Sequence, residues 1–289
     1  MNNLLEVNHL SKSYPSFQLS DINFTVPSGS IVGFIGENGA GKTTTIKLIL
    51  NEMRKDSGSI RIFGKDHIEE ELKIKEQIGV VFDESYFHNE FKAGDVAAIL
   101  RRMYKSWDDA LFQDCLRRFQ IPANKIIKEY SKGMKMKLSI ASAIAHHPRL
   151  LILDEATSGL DPIIRSEILD LFLDFIQDES CSILFSSHIT SDLEKIADYI
   201  VFIHNGQIVF NRSKDDLIYL CGIVKCSAAD FEKLDKAELI RWRRNEWGCE
   251  ALIENREEFK RKHPGLVVDS ASIEEIMVLY VKGESACLR

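Results

Sequence analysis

Up to about residue 82 the apolar residues alternate with polar ones or run in short blocks, and beyond residue 84 they recur at helical spacing. Leu4 to Val7 and Phe17 to Val26, the latter with Leu19, Ile22, Phe24 and Val26 as its apolar positions, predict antiparallel strands. Ile31 to Ile35 is an unbroken apolar run that predicts a buried strand, and Thr43 to Leu50 predicts the helix after it. Residues 57–63 predict a short strand between glycines, and Ile78 to Phe82 another buried one. From Glu84 to about His147 the pattern is helical: Val96, Ile99, Leu100 and Met103 share one face, as do Phe112, Cys115, Leu116 and Phe119. That stretch is too long for one crossover between parallel strands, so it predicts a helical insertion separating two strands of a single sheet.

Strand and helix then alternate again. Leu150 to Leu153 and Ser182 to Phe185 predict buried strands, with Ile164, Ile168, Leu171, Phe172 and Phe175 marking a helix between them. Tyr199 to Ile203 and Gln207 to Phe210 flank His204-Asn205-Gly206, and Asn-Gly is a strong hairpin signal. From Arg212 to Arg289 the character changes once more, to dense mixed charge that predicts a solvated surface around a small core. Ser272 with Glu275 forms a capping-box pattern ahead of Ile276, Leu279 and Tyr280, predicting an amphipathic helix near the end. The expected division is a domain over 1–211, with its helical part at about 84–147, and a C-terminal accessory domain over 212–289.

The chemistry concentrates where the third apolar run meets its helix. Gly36 to Thr44 reads GENGAGKTT, and a glycine-rich turn leading into a helix points backbone N–H groups at one anion. Gly36, Gly39 and Gly41 let the backbone wrap closely around phosphate oxygens, with Asn38, Ala40 and Thr44 in the same ATP-binding stretch; Lys42 reaches the terminal phosphates and Thr43 offers a hydroxyl for Mg²⁺. Leu150 to Leu153 ends in Asp154 and Glu155, and carboxylates at the ends of parallel strands face the ligand crevice. Asp154 suits Mg²⁺ and Glu155 suits the base that takes a proton from attacking water. His188 comes just after the next strand, and Ser131 with Gly133 opens a helix whose apolar face holds Leu138, Ala141, Ser142 and Ala145. Tyr14, in the turn beside Pro15, serves either to stack on an adenine ring or to plug the sheet edge.

Composition narrows the function classes. A chain of 289 residues with 45% hydrophobic content buries a substantial core, and its net charge of −7 argues against a broad nucleic-acid surface. No apolar run has the length of a membrane span, and the N-terminus lacks a secretion signal, so a cytoplasmic location is expected. The six cysteines fit no framework spacing and predict reduced thiols; Cys221, Cys226, Cys249 and His263 match none of the usual zinc spacings.

Taken in order, GENGAGKTT, YSKGM, LLILDEATSGLDP and SSH resemble the ATP-binding subunits of ABC transporters, over Leu4 to about Asn211. The SKGMK style of the signature and the ending SIEEIMVLYVKGE look most like the subunits of small bacterial ABC-2-type exporters, which include drug and peptide-antibiotic efflux systems. The resemblance implies an α/β fold of phosphate-loop type: a mixed sheet with an antiparallel edge, an inserted helical subdomain and a small α+β accessory domain. It implies a second nucleotide-binding subunit, identical or a relative, packed head to tail so that Ser131, Lys132, Gly133 and Met134 of one chain close over ATP held by the other. Within that pair Glu155 polarises water, His188 contacts the γ-phosphate and Asp161 links the halves. It also implies a separately encoded membrane permease that would hold the chain at the inner face of the cell membrane. The other classes considered are a soluble ABC ATPase acting on nucleic acid and an ATP-switched regulatory module. Three positions depart from the family pattern: Asp83 stands where glutamine or glutamate is usual, and Lys132 and Met134 where glycine and glutamine are. A shorter, charged Asp83 is expected to reach Mg²⁺ only through water.

Overall fold

A computed structural model of the chain describes residues 2–285; Cys287, with the rest of the last four residues, lies outside that range. The chain divides into two compact units. The first comprises residues 1–197 and 203–208, the second residues 198–202 and 209–289.

In the first unit, β1 (Asn3–Ser13) and β2 (Gln18–Pro27) pair antiparallel. After β3 (Ile31–Ile35) and α1 (Lys42–Ile49) come β4 (Ser57–Ile62) and β5 (Lys65–Asp66), which complete a four-stranded sheet in the order β2-β1-β4-β5. These four strands form an antiparallel sheet of their own. From Ile22 onward burial along β2 alternates, with Ile22, Phe24 and Val26 inside as a period of two requires, and Leu19 is buried on the other side of a register shift against β1.

The second sheet of this unit is parallel where it matters for the site. After α2 (Glu71–Lys75), strand β6 (Ile78–Val81) pairs with β7 (Leu150–Asp154), β7 with β8 (Ser182–Ser187), and β8 with β3. All residues of β3, β7 and β8 are buried, which explains their unbroken apolar runs. Between adjacent strands β6 and β7 the chain makes an excursion through α3 (Ala93–Met103), α4 (Asp109–Arg118) and α5 (Lys132–Ile144), the inserted helical subdomain. Helix α5 closes against the sheet so tightly that a Cβ on Gly79 of β6 would lie 2.5 Å from the Ala143 carbonyl oxygen. Helices α6 (Pro162–Phe175) and α7 (Thr190–Ile196) flank β8 in sequence. Strands β9 (Tyr199–His204) and β10 (Gln207–Ser213) are joined by Asn205-Gly206, both at positive φ (47° and 73°), the two-residue turn that Asn-Gly favours.

The second unit has its own sheet. Strands β11 (Gly222–Cys226), β12 (Arg241–Asn245), β13 (Gly248–Ile253) and β14 (Val267–Ser270) form it in the order β12-β13-β11-β14, all pairs antiparallel. Helices α8 (Ala228–Phe231), α9 (Arg256–Lys262) and α10 (Ile273–Lys282) accompany it. Val224, Phe231, Leu239, Trp242, Ala251, Ile253 and Phe259 make a separate core. The predicted cap is present: the Ser272 hydroxyl accepts from Glu275 N while the Glu275 carboxylate accepts from Ser272 N.

Candidate active site

Strand register alone brings the chemistry together. Ile35 lies beside Ser187, Asp154 beside Ser186 and Val81 beside Leu153, so the chain leaves four parallel strands at one edge. The residues reached next are Gly36, His188, Glu155 and, one step past Phe82, Asp83. This is the carboxyl edge of the sheet, where open α/β folds place their ligands.

The glycine-rich turn is built for close approach. Gly36 packs where a Cβ would sit 2.5 Å from the Ile203 carbonyl oxygen. Gly41, the N-cap of α1, holds φ at +114° and would carry a Cβ into Leu19 and Phe17. No side chain caps α1, so the donors of its first turn are left for a ligand. Lys42 is buried, with its ammonium 2.7 Å from the Gly36 carbonyl, 3.3 Å from that of Glu37 and 3.2 Å from Glu155 Oε1. The Thr43 hydroxyl donates to Asp154 Oδ2 at 2.7 Å.

Asp154 is almost fully buried. Burial raises its carboxyl above the usual range, the Thr43 hydroxyl and the Ser186 side chain offset part of that push, and the nearby Glu155 and Asp83 charges add to it. Its Oδ1 is buried without a hydrogen bond. Glu155 adopts φ +55°, a left-handed conformation that a non-glycine residue holds only under constraint. Its amide donates to the Ser186 carbonyl at 2.9 Å, and its Oε2 lies 2.5 Å from His188 Nδ1. One carboxylate therefore bridges the phosphate-loop lysine and the histidine of the neighbouring strand.

A cavity of about 620 Å³ opens on these groups, lined by Phe17, Asn38, Gly39, Gly41, Lys42, Thr43, Thr44, Asp83 and Glu155 among others. Tyr14 is outside that lining. Its ring stacks on Phe17 and its hydroxyl reaches Met53 Sδ at 3.6 Å, so Phe17 is the aromatic residue at the cavity wall. Sequence reasoning passes over Phe17 because it falls among the apolar residues of a strand. Its place in the same Pro15-containing turn, before β2 begins, is the available signal.

Ser131, Lys132, Gly133 and Met134 also lie outside that lining. Ser131 caps α5 by accepting from Met134 N at 3.2 Å. Gly133 is buried against α6, where a Cβ would meet Ile164 Cδ1 at 2.6 Å. Lys132 Nζ reaches over Gly159 of the SGLDP turn, and Asp161 caps α6 by accepting from Ile163 N and Ile164 N, both at 3.1 Å. Asp83 lines a second cavity as well, of about 440 Å³, together with Lys132, Lys135 and Met136.

The ABC transporter family pattern matches residues 19–158, the span from β2 through the Asp154-Glu155 pair. The chain is 33% identical over 215 residues to the ABC transporter ATP-binding protein YtrB of Bacillus subtilis (strain 168), covering 74% of this chain and 73% of that protein. It belongs to the ABC transporter ATP-binding family. Two further relatives are the bacitracin transport ATP-binding protein BcrA of Bacillus licheniformis, 34% identical over 72% of this chain and 69% of that one, and the lantibiotic transport ATP-binding protein SrtF of Streptococcus pyogenes, 33% identical over 73% and 92%. A solved structure of an ATP-binding subunit of an ABC transporter superposes with a TM-score of 0.66 at 30% identity, covering 74% of this chain and 91% of that one. Membership in the ABC family brings ATP binding and ATPase activity.

Proposed function

We propose that this chain is the ATPase of an exporter, driving a substrate through a separate membrane subunit by closing two nucleotide-binding domains around ATP. One observation carries the reading. Lys42, Thr43 and Glu155 line one cavity, with Asp154 and His188 tied to them by direct contacts to Thr43 and Glu155, while the Ser131 helix start neither lines that cavity nor shares those contacts. A single chain therefore presents two half-sites, and a second copy or a near relative packed head to tail joins them. Relatives named for bacitracin and lantibiotic transport support export. No helix among the described residues is long and apolar enough to cross a membrane. In this reading the path across the bilayer is a separate permease, which holds this chain at the cytoplasmic face. Residues 1–211 form the nucleotide-binding domain in this reading, and 212–289 the accessory domain.

The proposed chemistry grows out of the geometry. Phosphate oxygens accept from the backbone of Asn38 to Thr44, and Lys42 exchanges its carbonyl and Glu155 contacts for the terminal phosphates. Released from Lys42, Glu155 takes the proton of an attacking water, and His188 fixes the carboxylate's orientation through its Nδ1 contact and meets the γ-phosphate. The donor set fits Mg²⁺: the Thr43 hydroxyl and the Asp154 carboxylate, with a buried oxygen lacking a partner, are hard oxygen ligands, and Asp83 stands within reach of a bound water. When bound there, Mg²⁺ would neutralise charge on the phosphates. The Ser131 hydroxyl and the N–H groups of its first helical turn would meet the γ-phosphate from the partner chain.

The test is co-purification with a co-expressed membrane permease from the same organism, followed by ATPase measurement in lipid. Stimulation by that protein and its substrate is the expected result. Stimulation by RNA or DNA instead, with no membrane partner, would overturn the exporter reading while leaving the ATPase in place.

A further inference from the structure

The second unit carries a feature that ATP chemistry does not use. Cys226 ends β11, and Cys249 stands directly opposite it in the antiparallel register with β13. Directly opposed residues point to the same face, and here that is the core face: Cys249 belongs to the buried cluster with Val224, Ala251 and Ile253, and Cys226 packs against it half-buried. Opposed residues in antiparallel strands have Cα atoms roughly 4.5–5.5 Å apart. Both values fall inside the range a disulfide spans. Cys226 is partly exposed and Cys249 is buried. Both residues border a cavity of about 380 Å³ beside the two-residue turn Glu246-Trp247, whose tryptophan is 93% exposed.

Among the described residues of this unit, the other cysteine and histidine are engaged elsewhere. Cys221 Sγ lies near the Arg212 guanidinium, and His263 Nε2 lies 2.8 Å from Glu238 Oε2. The pair stands apart from any metal-binding group, since no set of three or more His, Cys, Asp or Glu among the described residues is placed to hold a metal ion.

We infer that Cys226 and Cys249 are a reversible dithiol site, oxidised to a cross-strand disulfide by low-molecular-weight disulfides that enter beside Trp247. The Cys226 thiolate attacks one sulfur of the small disulfide and releases the first small thiol. Cys249, once deprotonated, attacks the Cys226 sulfur and releases the second. Two protein S–H bonds are lost, one S–S bond forms, and the small disulfide is reduced to two thiols. The half-exposed Cys226 is the entry point and buried Cys249 the resolving partner. Burial raises the Cys226 thiol above its ordinary value, Cys249 and Asp230 reinforce this and Lys236 opposes it, so the attacking thiolate is the minor form. Closure ties the end of β11 to the start of β13 and stabilises the second unit, because the unfolded chain loses freedom.

The experiment treats the full-length, fully reduced protein with oxidised glutathione and maps disulfides by mass spectrometry of unreduced digests. The expected product is a linked pair of peptides containing Cys226 and Cys249, formed equally in Cys115→Ser and Cys181→Ser proteins and lost in Cys226→Ser and Cys249→Ser. Trp247 emission should fall on oxidation, recover with reductant and be absent from the response of Trp247→Phe, while melting of the second unit moves up by several degrees. A stable glutathione adduct on Cys226 that never resolves, or linkage of either cysteine to another partner, would overturn the assignment.

Discussion

Two helix starts in the first unit look alike in sequence, each a small polar or glycine residue ahead of a helix, and the structure separates them. At α1 the N-cap is Gly41, held at φ +114° with no side-chain cap, and its backbone donors face a cavity. At α5 the N-cap is Ser131, which satisfies its own helix by accepting from Met134 N. The first leaves donors unmet and so has its ligand built into the fold. The second has one first-turn donor met by its own N-cap, and in the proposed reading it meets a phosphate only when a second chain brings one. On that reading the same element type binds within the chain in one place and across an assembly in the other.

The largest effect expected from breaking this comparison is on the α1 side, where the cavity meets Glu155. Glu155→Gln should retain ATP binding and lower turnover by roughly 10² to 10⁴, about 3–5 kcal/mol of barrier. The substitution keeps the shape of the side chain, and the left-handed backbone at this position strains glutamine no more than glutamate. Steady-state hydrolysis paired with calorimetric ATP titration reads both quantities. Turnover within a few-fold of the parent protein would remove Glu155 from the base role.

A smaller effect is expected at α5. Ser131→Ala should cost about 1 kcal/mol of stability through the lost cap and lower turnover by roughly 10- to 100-fold, leaving the affinity of the isolated chain for ATP unchanged. Where this chain pairs with itself, mixing settles which chain supplies the serine. Combining Ser131→Ala protein with Glu155→Gln protein creates one site with both residues intact if they act across the interface, and turnover rises well above either variant alone. No rise on mixing, with subunit exchange verified by labelling, would place both residues in the same half-site.

Much of this arrangement is legible in the residues because it depends on local rules. Unbroken apolar runs mark β3, β7 and β8; strand ends leading into Gly36, Asp154-Glu155 and His188 mark the ligand edge; and Ser272 with Glu275 marks α10. What escapes depends on long-range geometry. The shared contact of Lys42 and His188 with one Glu155 carboxylate needs the register between strands far apart in sequence. The place of Phe17 at the cavity wall, with Tyr14 stacked behind it, depends on how the turn after β1 folds back. In sequence Ser131 with Gly133 reads as a helix cap or an anion contact, and the packing of Gly133 against Ile164 of α6 is a separate reason for it to lack a side chain. The opposition of Cys226 and Cys249 likewise emerges only once β11 and β13 are paired.

The smallest effect sharpens the comparison from the metal side of the α1 site. Burial raises the Asp154 carboxyl, so the folded protein favours its neutral form more than the unfolded chain does. The sign is then fixed. Below the unfolded-state value both states hold the proton and Asp154 costs nothing; as pH rises through the folded-state value the buried carboxylate ionises and stability is lost. Asparagine keeps an oxygen for the Thr43 hydroxyl and never ionises. Asp154→Asn should therefore melt above the parent protein at pH 7 without nucleotide, with the gap shrinking toward pH 4. With Mg²⁺ and ATP present the order should reverse, since only the carboxylate gains from the cation and the parent protein is stabilised by binding. Melting curves at both pH values, with and without Mg²⁺ and ATP, measure all of this. A variant that melts lower at pH 7 in the absence of ligand would mean that the Thr43 bond to a charged Asp154 outweighs the cost of burying it, and that the α1 site holds its shape without the cation.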